Sequence, residues 1–180
     1  MVKIKKKNTI IFLRNSKVFF RPFEVGDITE TYQRNLNELN TLGINIVFPK
    51  NKKNLNDYYN NSKINQNTIL FTICNYKNKK NIGTASLSQI NWVNRNACFG
   101  RLIFSEFRNK GYGTEVVNLL KEYAFNYLNL KSLWTFVFSS NIASIKSNKK
   151  AGGKVCGELK NHVFKKNRYY NASLIQHIKK

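Results

Sequence analysis

Short runs of apolar and β-branched residues in the first part of the chain predict strands. Two runs, over residues 9–13 and 18–23, predict an opening hairpin. Three further runs, over residues 68–74, 82–93 and 97–104, are separated by polar turns rich in Lys and Asn. This spacing predicts an antiparallel meander, in which Gly83 marks a bulge or a close approach between backbones.

Apolar residues at helical spacing predict helices on either side of this meander. The first helix covers residues 27–42 with Asp27 as its N-terminal cap, and a shorter one covers residues 54–62. A third covers residues 113–128, with Val116, Leu120, Tyr123 and Tyr127 on one apolar stripe that Ala124 widens. A fourth covers residues 142–151 and stops at Gly152-Gly153.

The remaining apolar runs complete one mixed sheet. Residues 133–138 are almost continuously apolar, which is typical of a strand buried on both faces. Residues 154–165 and 168–178 predict a terminal hairpin. The fold class is therefore mixed α/β, with helices on the faces of the sheet. We expect a single domain over residues 1–180, in which residues 1–17 are an N-terminal extension or an extra strand.

Charge adds one constraint on the partners. The 31 Lys and Arg residues exceed the 9 Asp and Glu residues, which gives a formal net charge of +22. Such a field attracts nucleic acid, anionic surfaces and phosphorylated small molecules. The cations are spread over the whole chain, however, and A/T-rich codons would enrich Lys and Asn without selection for binding. Nucleic-acid binding is therefore not predicted as the main function.

Targeting and metal signals are weak. The apolar stretch after the N-terminal lysines is too short for an export signal, and no apolar run could span a bilayer, so we expect a cytoplasmic protein. Cys74, Cys98 and Cys156 match no metal or disulfide spacing and are expected to be buried free thiols. With only His162 and His177 in addition, no metal site is predicted.

The segment over residues 103–114 links a strand to a helix and carries the clearest chemical signal. Free backbone N–H groups and the helix dipole make such a junction an anion site. Gly111 and Gly113 let the backbone approach a phosphate, and Arg108 and Lys110 add charge. The Walker pattern is absent, and Val116 stands where a dinucleotide fingerprint needs a third glycine.

Arg108, Gly111 and Gly113 fill the Gln/Arg-x-x-Gly-x-Gly/Ala signature of the GNAT superfamily of N-acetyltransferases, which this chain resembles over residues 18–178. Asn141, followed by Ser144, matches a second block of that family. The opening Phe20-Arg21-Pro22 with Asp27 resembles the ribosomal-protein-alanine branch. The stretch over residues 82–97 is similar to members that act on nucleotide-linked amino sugars.

The resemblance implies a mostly antiparallel twisted sheet of about seven strands, splayed between its fourth and fifth strands, and about four flanking helices. It also implies acetyl-CoA as cosubstrate, with its pantetheine arm added beside the splayed strand. The residues expected to bind it are Leu102, Ile103, Phe104, Arg108, Asn109, Lys110, Gly111, Tyr112, Gly113, Thr114, Asn141 and Ser144.

The catalytic residues are less well indicated. Many relatives carry a Glu in the middle of the fourth strand, and this chain has none there, so Glu106 is the candidate base. Glu24 and Glu158 are more distant candidates, and His162 in the last hairpin is a further one. Many relatives place a Tyr seven residues after the motif Asn, and that position here is Asn148, which is the second candidate catalytic residue. Because Asn cannot supply an acidic proton, Tyr170 or its neighbour Tyr169 is a substitute. A water chain as base and an unaided thiolate as leaving group remain alternatives.

The predicted function is transfer of an acetyl group to the amine of a small molecule. The best match to the net charge is a phosphate-bearing acceptor, a nucleotide-linked amino sugar. The alternatives are a protein N-terminus, another small amine, or a basic nucleic-acid-binding protein with no enzyme activity. A cationic polyamine fits poorly unless the pocket rim is acidic. A homodimer is compatible with either enzyme reading.

Overall fold

The computed structural model describes residues 10–37, 49–64 and 66–180, and within these one sheet runs through the chain. Its eight strands lie in the order β1-β2-β3-β4-β5-β6-β8-β7. The strands are β1 (Leu13–Arg14), β2 (Val18–Pro22), β3 (Ile69–Asn75), β4 (Asn81–Asn91), β5 (Asn96–Ile103), β6 (Ser132–Phe138), β7 (Lys154–Lys165) and β8 (Arg168–Ile178). Neighbours are antiparallel except β5 and β6, which are parallel.

Four α-helices flank the sheet in the described part of the chain: α1 (Val25–Asn37), α2 (Lys52–Ile64), α3 (Tyr112–Glu122) and α4 (Ile142–Lys150). The mixed α/β prediction is confirmed, with eight strands instead of about seven. The opening hairpin, the meander and the terminal hairpin are all present. Residue 9 of the first predicted strand and residues 38–42 of the first predicted helix lie outside the described residues.

The predicted cap of α1 is wrong in its position. The helix begins at Val25, so Asp27 stands in its first turn instead of before it. There its carboxylate accepts hydrogen bonds from the Glu24 backbone N–H at 2.8 Å and from the Thr72 hydroxyl at 2.8 Å. Arg21 adds a two-pronged ion pair at 2.6 and 2.5 Å. Burial raises the pKa of Asp27, but these hydrogen bonds outweigh it and lower the pKa, which joins α1 to β2 and β3 as an ionised network.

The third predicted helix is interrupted before its end. After Glu122 the chain makes a π-helical turn, Tyr123–Tyr127. Each hydrogen bond in a π-helical turn encloses one more residue than in an α-helix, so the residues that follow are rotated away from the apolar stripe. Val116, Leu120 and Ala124 are therefore buried, whereas Tyr127, predicted on the same stripe, is 65% exposed.

Strand β6 is not buried on both faces, which corrects the prediction for residues 133–138. Leu133 and Val137 are buried, but Trp134 is only half-buried and Phe136 is 42% exposed. The Phe136 ring packs against Trp134 at 5.4 Å and the His162 ring at 5.2 Å. The apolar run therefore alternates like an ordinary strand, with aromatic residues covering one another on the outer face.

The main core lies between the sheet and α3, and it holds the centre of the meander in place. It contains Phe20, Phe71, Leu87 and Phe99 from the strands. Gly83 of β4 makes the predicted close approach, because a Cβ there would lie 2.0 Å from the Leu102 carbonyl oxygen. Any side chain at this position would push β4 away from β5 at the end of β5 that carries the site.

The cysteine prediction is correct only in part. Cys74 is buried, Cys98 is half-buried and Cys156 is exposed on β7. No cluster of three His, Cys, Asp or Glu side chains that could hold a metal ion occurs within residues 10–37, 49–64 and 66–180. In the same ranges, no helix is both long enough and apolar enough to span a membrane.

His177 is completely enclosed where β8 passes under α4. Its Nε2 lies 3.4 Å from the Asn148 side-chain oxygen, and its ring meets the edge of Phe99 at 5.5 Å. A Cβ on Gly153 would lie 2.6 Å from the same Nε2. Burial, with the charges of Lys121 and Arg101, lowers the pKa of His177 from 6.5 to about 4.

This shift predicts a loss of stability in mild acid. The unfolded histidine takes up its proton as the pH falls below 6.5, whereas the folded one resists down to about pH 4, so stability falls across that window. Between pH 7 and pH 5, we expect His177 to remove about 2 kcal/mol from the free energy of unfolding. Urea unfolding at both pH values measures this loss, which should shrink in His177→Gln. His162→Gln, at an exposed position, is the control and should keep the wild-type pH dependence.

Candidate coenzyme cleft between the splayed strands

Strands β5 and β6 pair only at their beginnings. Three residue pairs join them, ending with Cys98 opposite Trp134. Beyond that point β5 stays paired with β4 as far as Ile103, and β6 stays paired with β8 as far as Phe138. The two strands therefore diverge, and the edges that face each other across the gap have no strand partner in the described sheet. This is the splay that the resemblance implies, between β5 and β6 here because the short β1 shifts the numbering.

The chain turns from β5 into α3 at the mouth of this gap. A single 3₁₀ turn, Ser105–Phe107, follows the strand. Asn109 and Gly111 then take positive φ angles of 60° and 81°, and Gly111 is the N-terminal cap of α3 without a side-chain hydrogen bond. The first amides of α3 are thus free of a side-chain cap, in the geometry that binds anions.

A cavity of about 860 Å³ opens in front of these amides. Ten of the twelve residues predicted to bind the cofactor line it, and they come from β5, the loop, α3 and the start of α4. The ten are Leu102, Ile103, Arg108, Asn109, Gly111, Tyr112, Gly113, Thr114, Asn141 and Ser144. The structure brings them together around one space, while their contact with the cofactor stays a prediction.

The other two lie elsewhere. Phe104 is buried beneath the loop, with the Arg34 guanidinium 4.3 Å from its ring centroid. The Lys110 ammonium turns back and donates to the Glu106 carbonyl oxygen at 2.9 Å. Phe104 faces inward because side chains alternate between the two sides at the end of a strand, and Lys110 turns away because its side chain is flexible. The motif alone predicts neither orientation.

Helix α4 forms the second wall of the cavity. The Asn141 side chain accepts a hydrogen bond from the Ser144 backbone N–H at 3.1 Å, so Asn141 caps this helix. The first turn of α4 therefore faces the same space as the first turn of α3. Sequence analysis missed the other α4 residues that line the cavity, among them Lys146, Ser147 and Lys150. Ser147 and Lys150 follow Ser144 at successive intervals of three residues, about one helical turn, which was the available signal for these two.

The lining of this cavity is positively charged. Arg101, Arg108, Lys146 and Lys150 contribute cations, and none of the lining residues that the structure describes is a carboxylate. Arg108 is partly used for structure, because its Nε donates to the Ile103 carbonyl oxygen at 2.9 Å and ties the loop to the strand end. A diphosphate would meet helix amides and fixed cations here at the same time.

A second cavity of about 680 Å³ lies between α1, α2 and the middle strands of the sheet. Phe23, Tyr32 and Tyr59 give it aromatic walls, and Lys50 lies at its edge. Arg101 and Leu102 line both cavities, so both spaces border the splayed end of β5, a place that we call the junction. A donor in the first cavity and an acceptor in the second would react at this junction.

None of the three predicted catalytic residues lines either cavity. Glu106 is exposed and paired with Arg34 at 2.5 Å, and its backbone hydrogen bond together with Arg34 lowers its pKa, which is unfavourable for a base. Tyr170 packs on the Phe138 ring at 5.6 Å. Asn148 is buried behind the first cavity, where its amide donates to the Ser144 carbonyl oxygen at 3.0 Å.

Arg101 is the charged residue at the junction that the sequence analysis did not select. Its Nη2 donates to the Ser147 hydroxyl at 2.5 Å, and its Nη1 lies 3.4 Å from the Asn148 side-chain oxygen. Burial lowers the pKa of this guanidinium to about 10. An arginine between Gly100 and the apolar pair Leu102-Ile103, inside a strand, was the signal for it.

A sheet splayed beside a helix N-terminus, with two cavities that border the splayed strand, agrees with the N-acetyltransferase fold that the resemblance implies. Residues 17–154 match the acetyltransferase (GNAT) domain family. This match covers most of the chain, and the protein therefore belongs to the GNAT family. The superfamily predicted from the sequence is confirmed.

The similar proteins narrow the comparison. Spermidine N(1)-acetyltransferase of Escherichia coli K12 is 37% identical over 90 residues, which are 50% of this chain and 48% of that protein. The chain thus matches about half the length of the E. coli relative. Spermidine N(1)-acetyltransferase of Vibrio cholerae is 27% identical over 156 residues, 86% of this chain and 89% of that protein.

Solved structures agree with the fold. The crystal structure of the V. cholerae spermidine N-acetyltransferase in complex with CoA and spermine superposes with a TM-score of 0.83 at 24% identity. It covers 91% of this chain and 96% of that one. A dodecameric structure of the same V. cholerae enzyme gives 0.77 at 25% identity, covering 91% and 95%. These relatives do not support the ribosomal-protein-alanine or amino-sugar branches.

Gly111 provides a test of the anion site. Gly111→Asp places a carboxylate beside the free amides of α3, and we expect it to weaken binding of CoA at least about tenfold through charge repulsion. Gly111→Asn has nearly the same shape and also tolerates the left-handed backbone, so its affinity should stay closer to wild type. Calorimetry with CoA measures both.

Gly157→Asp is the matched control for this experiment, because a Cβ at Gly157 contacts nothing within 4 Å and β7 lies outside the cavity lining. Its CoA affinity should equal that of the wild type. Equal affinities for Gly111→Asp and Gly111→Asn would contradict the assignment of the phosphates to this loop.

Proposed function

We propose that this protein is an N-acetyltransferase that moves the acetyl group of acetyl-CoA to a primary amine of a small molecule. The observation that carries the proposal is that two cavities border the same splayed end of β5. The cationic cavity at the N-termini of α3 and α4 would hold the donor, and the aromatic cavity under α1 and α2 would hold the acceptor. Family membership supports acetyl-CoA as the donor.

The unpaired edge of β5 would bind the donor's arm. Leu102 and Ile103 pair with β4 on one side, and their other edge faces the gap. The amide-containing arm of the coenzyme can add there like an extra strand. A β5 amide beside the thioester would then donate a hydrogen bond to the carbonyl oxygen. It would stabilise the negative charge that builds up on this oxygen when the amine attacks.

The acceptor must lose its proton before it attacks, and the described lining of the acceptor cavity has no carboxylate to act as a base. Lys50 and Arg101 line that cavity instead. Cations disfavour the protonated form of a nearby amine and lower its pKa. The site would thus increase the neutral, reactive fraction of the amine electrostatically, with water carrying the proton away.

The identity of the acceptor rests on the relatives. The similar curated proteins are named spermidine acetyltransferases, and the V. cholerae structure holds CoA and spermine. We therefore propose a polyamine of this class as the first acceptor to test, in place of a nucleotide-linked amino sugar. The acidic rim that would favour a polyamine is not found among the described lining residues, which makes a direct comparison of acceptors necessary.

Two partner predictions remain. The dodecameric V. cholerae relative supports a homo-oligomer for this chain, of which the predicted homodimer is the simplest case. Family membership supports an enzyme over a basic nucleic-acid-binding protein. The cytoplasmic location stays a prediction.

A comparison of acceptors tests the proposal. Release of free CoA from acetyl-CoA is followed with spermidine, a monoamine of similar length, and a nucleotide-linked amino sugar. We expect kcat/KM for spermidine to exceed that for the amino sugar by at least about tenfold, or about 1.4 kcal/mol. The reverse order would contradict the polyamine assignment. Absence of turnover with every amine, in protein that binds CoA, would contradict the enzyme itself.

A further inference from the structure

We propose that Arg101 is a catalytic residue of this transferase, and that its guanidinium binds the CoA thiolate as it leaves. This inference rests on the proposed function, because it assigns a role within that reaction. It also supplies a catalytic group at the junction, where Glu106 and Tyr170 cannot act because both lie outside the lining of the two cavities.

The first argument is position. Arg101 stands three residues beyond Cys98, the last residue of β5 that pairs with β6, and so lies in the opened part of the strand. It lines both cavities, whereas the loop from Asn109 to Thr114 lines only the first. Its Nε lies 3.6 Å from where a Cβ of Gly113 would stand, at the start of α3. The reacting atoms must come together beside β5 at the border of both cavities, and Arg101 is the charged residue that the two described linings share.

The second argument is charge. The hydrogen-bond partners of the Arg101 guanidinium are the Ser147 hydroxyl at 2.5 Å and the Asn148 side-chain oxygen at 3.4 Å, both neutral. No carboxylate pairs with it in the described part of the chain. A cation enclosed without an anion is unfavourable, and an anionic partner that arrives with the substrate would relieve this. Even with its lowered pKa of about 10, the group is a cation at neutral pH.

The third argument is Asn148. It occupies the position at which the family resemblance places a tyrosine, and it has no proton to give the leaving group. Its side-chain oxygen instead faces Arg101, and its amide is held by the Ser144 carbonyl oxygen at 3.0 Å. Asn148 is therefore a positioning residue that, together with Ser147, holds the guanidinium of Arg101 against α4.

The chemical step balances without a proton donor. The amine nitrogen forms a bond to the carbonyl carbon, the carbon–sulfur bond breaks, and its electron pair stays on sulfur as a thiolate. The amine's proton passes to water, and the thiolate takes a proton from water when it leaves the site. Arg101 keeps its own protons throughout and stabilises the negative sulfur by charge and hydrogen bonding.

Kinetics of Arg101→Gln and Arg101→Lys test this role with the best acceptor found. We expect Arg101→Gln to lower kcat by about 10² or more, with KM for acetyl-CoA within about threefold of wild type, because the lost interaction forms mainly as the bond breaks. Arg101→Lys should recover part of kcat. Arg95→Gln is the control: Arg95 is exposed in the turn before β5 and bonds the Asn129 backbone and side chain, so its kinetics should be unchanged.

A second measurement does not need turnover. The thiol of bound CoA is alkylated with iodoacetamide over a range of pH, and the alkylated CoA is quantified by mass spectrometry, so the protein's own cysteines do not interfere. If Arg101 binds the thiolate, the midpoint pH of the reaction is higher in Arg101→Gln than in the wild type by at least about 1. Thermal unfolding of each variant confirms that it is folded.

Three outcomes would overturn the assignment. An unchanged kcat with a weakened Kd for CoA would place Arg101 at the phosphates instead. An equal thiol midpoint in wild type and Arg101→Gln would remove the contact with sulfur. Failure to bind CoA at all would remove this inference together with the site. Failure to acetylate any amine, with the thiol midpoint still shifted, would remove the proposed function alone and leave the Arg101–sulfur contact standing.

Discussion

The divergence of β5 from β6 is the constraint on which the site depends. Each strand is held firmly on its outer edge, β5 by β4 through Ile103 and β6 by β8 through Phe138. The inner edges are left without a strand partner where β5 and β6 diverge, and their backbone polar groups need another partner. A ligand that carries amides along an extended arm supplies such partners. The unpaired edge therefore has backbone groups that need hydrogen-bond partners, and the same groups can bind a ligand.

Neighbouring contacts keep the opening in one place. Gly83 lets β4 approach the Leu102 backbone so closely that no side chain would fit between them. Arg108 holds the Ile103 carbonyl oxygen from the loop side. The core under α3 packs against Phe99, one residue beyond the last β5–β6 pair. These contacts fix the direction of β5 where its partner is missing, and they bring the start of α3 to the mouth of the gap.

Local pattern was sufficient to predict most of this fold. The meander and the terminal hairpin follow from period-two runs and polar turns, and the phosphate loop follows from the spacing of Gly111 and Gly113. Features set by tertiary contacts were not predictable in this way. The π-helical turn rotates Tyr127 out of its stripe, and the Asp27 carboxylate accepts hydrogen bonds from Arg21 and Thr72. Phe136 packs against Trp134 of its own strand and His162 of β7.

The proposed catalytic residue, Arg101, shows most clearly what local sequence pattern does not predict. The sequence suggests a carboxylate and a phenol as base and acid, Glu106 and Tyr170, but the structure places neither in the lining of the two cavities. The net charge of +22 pointed only to anionic partners in general. The positions of the cations are more informative. Residues of β5, the loop and α4 place positive charges around the coenzyme cavity, and its described lining has no carboxylate. Positive charge at the junction favours a neutral amine and a negative sulfur together, and those are the two states that acetyl transfer requires. A site of this kind can therefore dispense with a dedicated base and acid, provided that the guanidinium on β5 stays aimed at the gap.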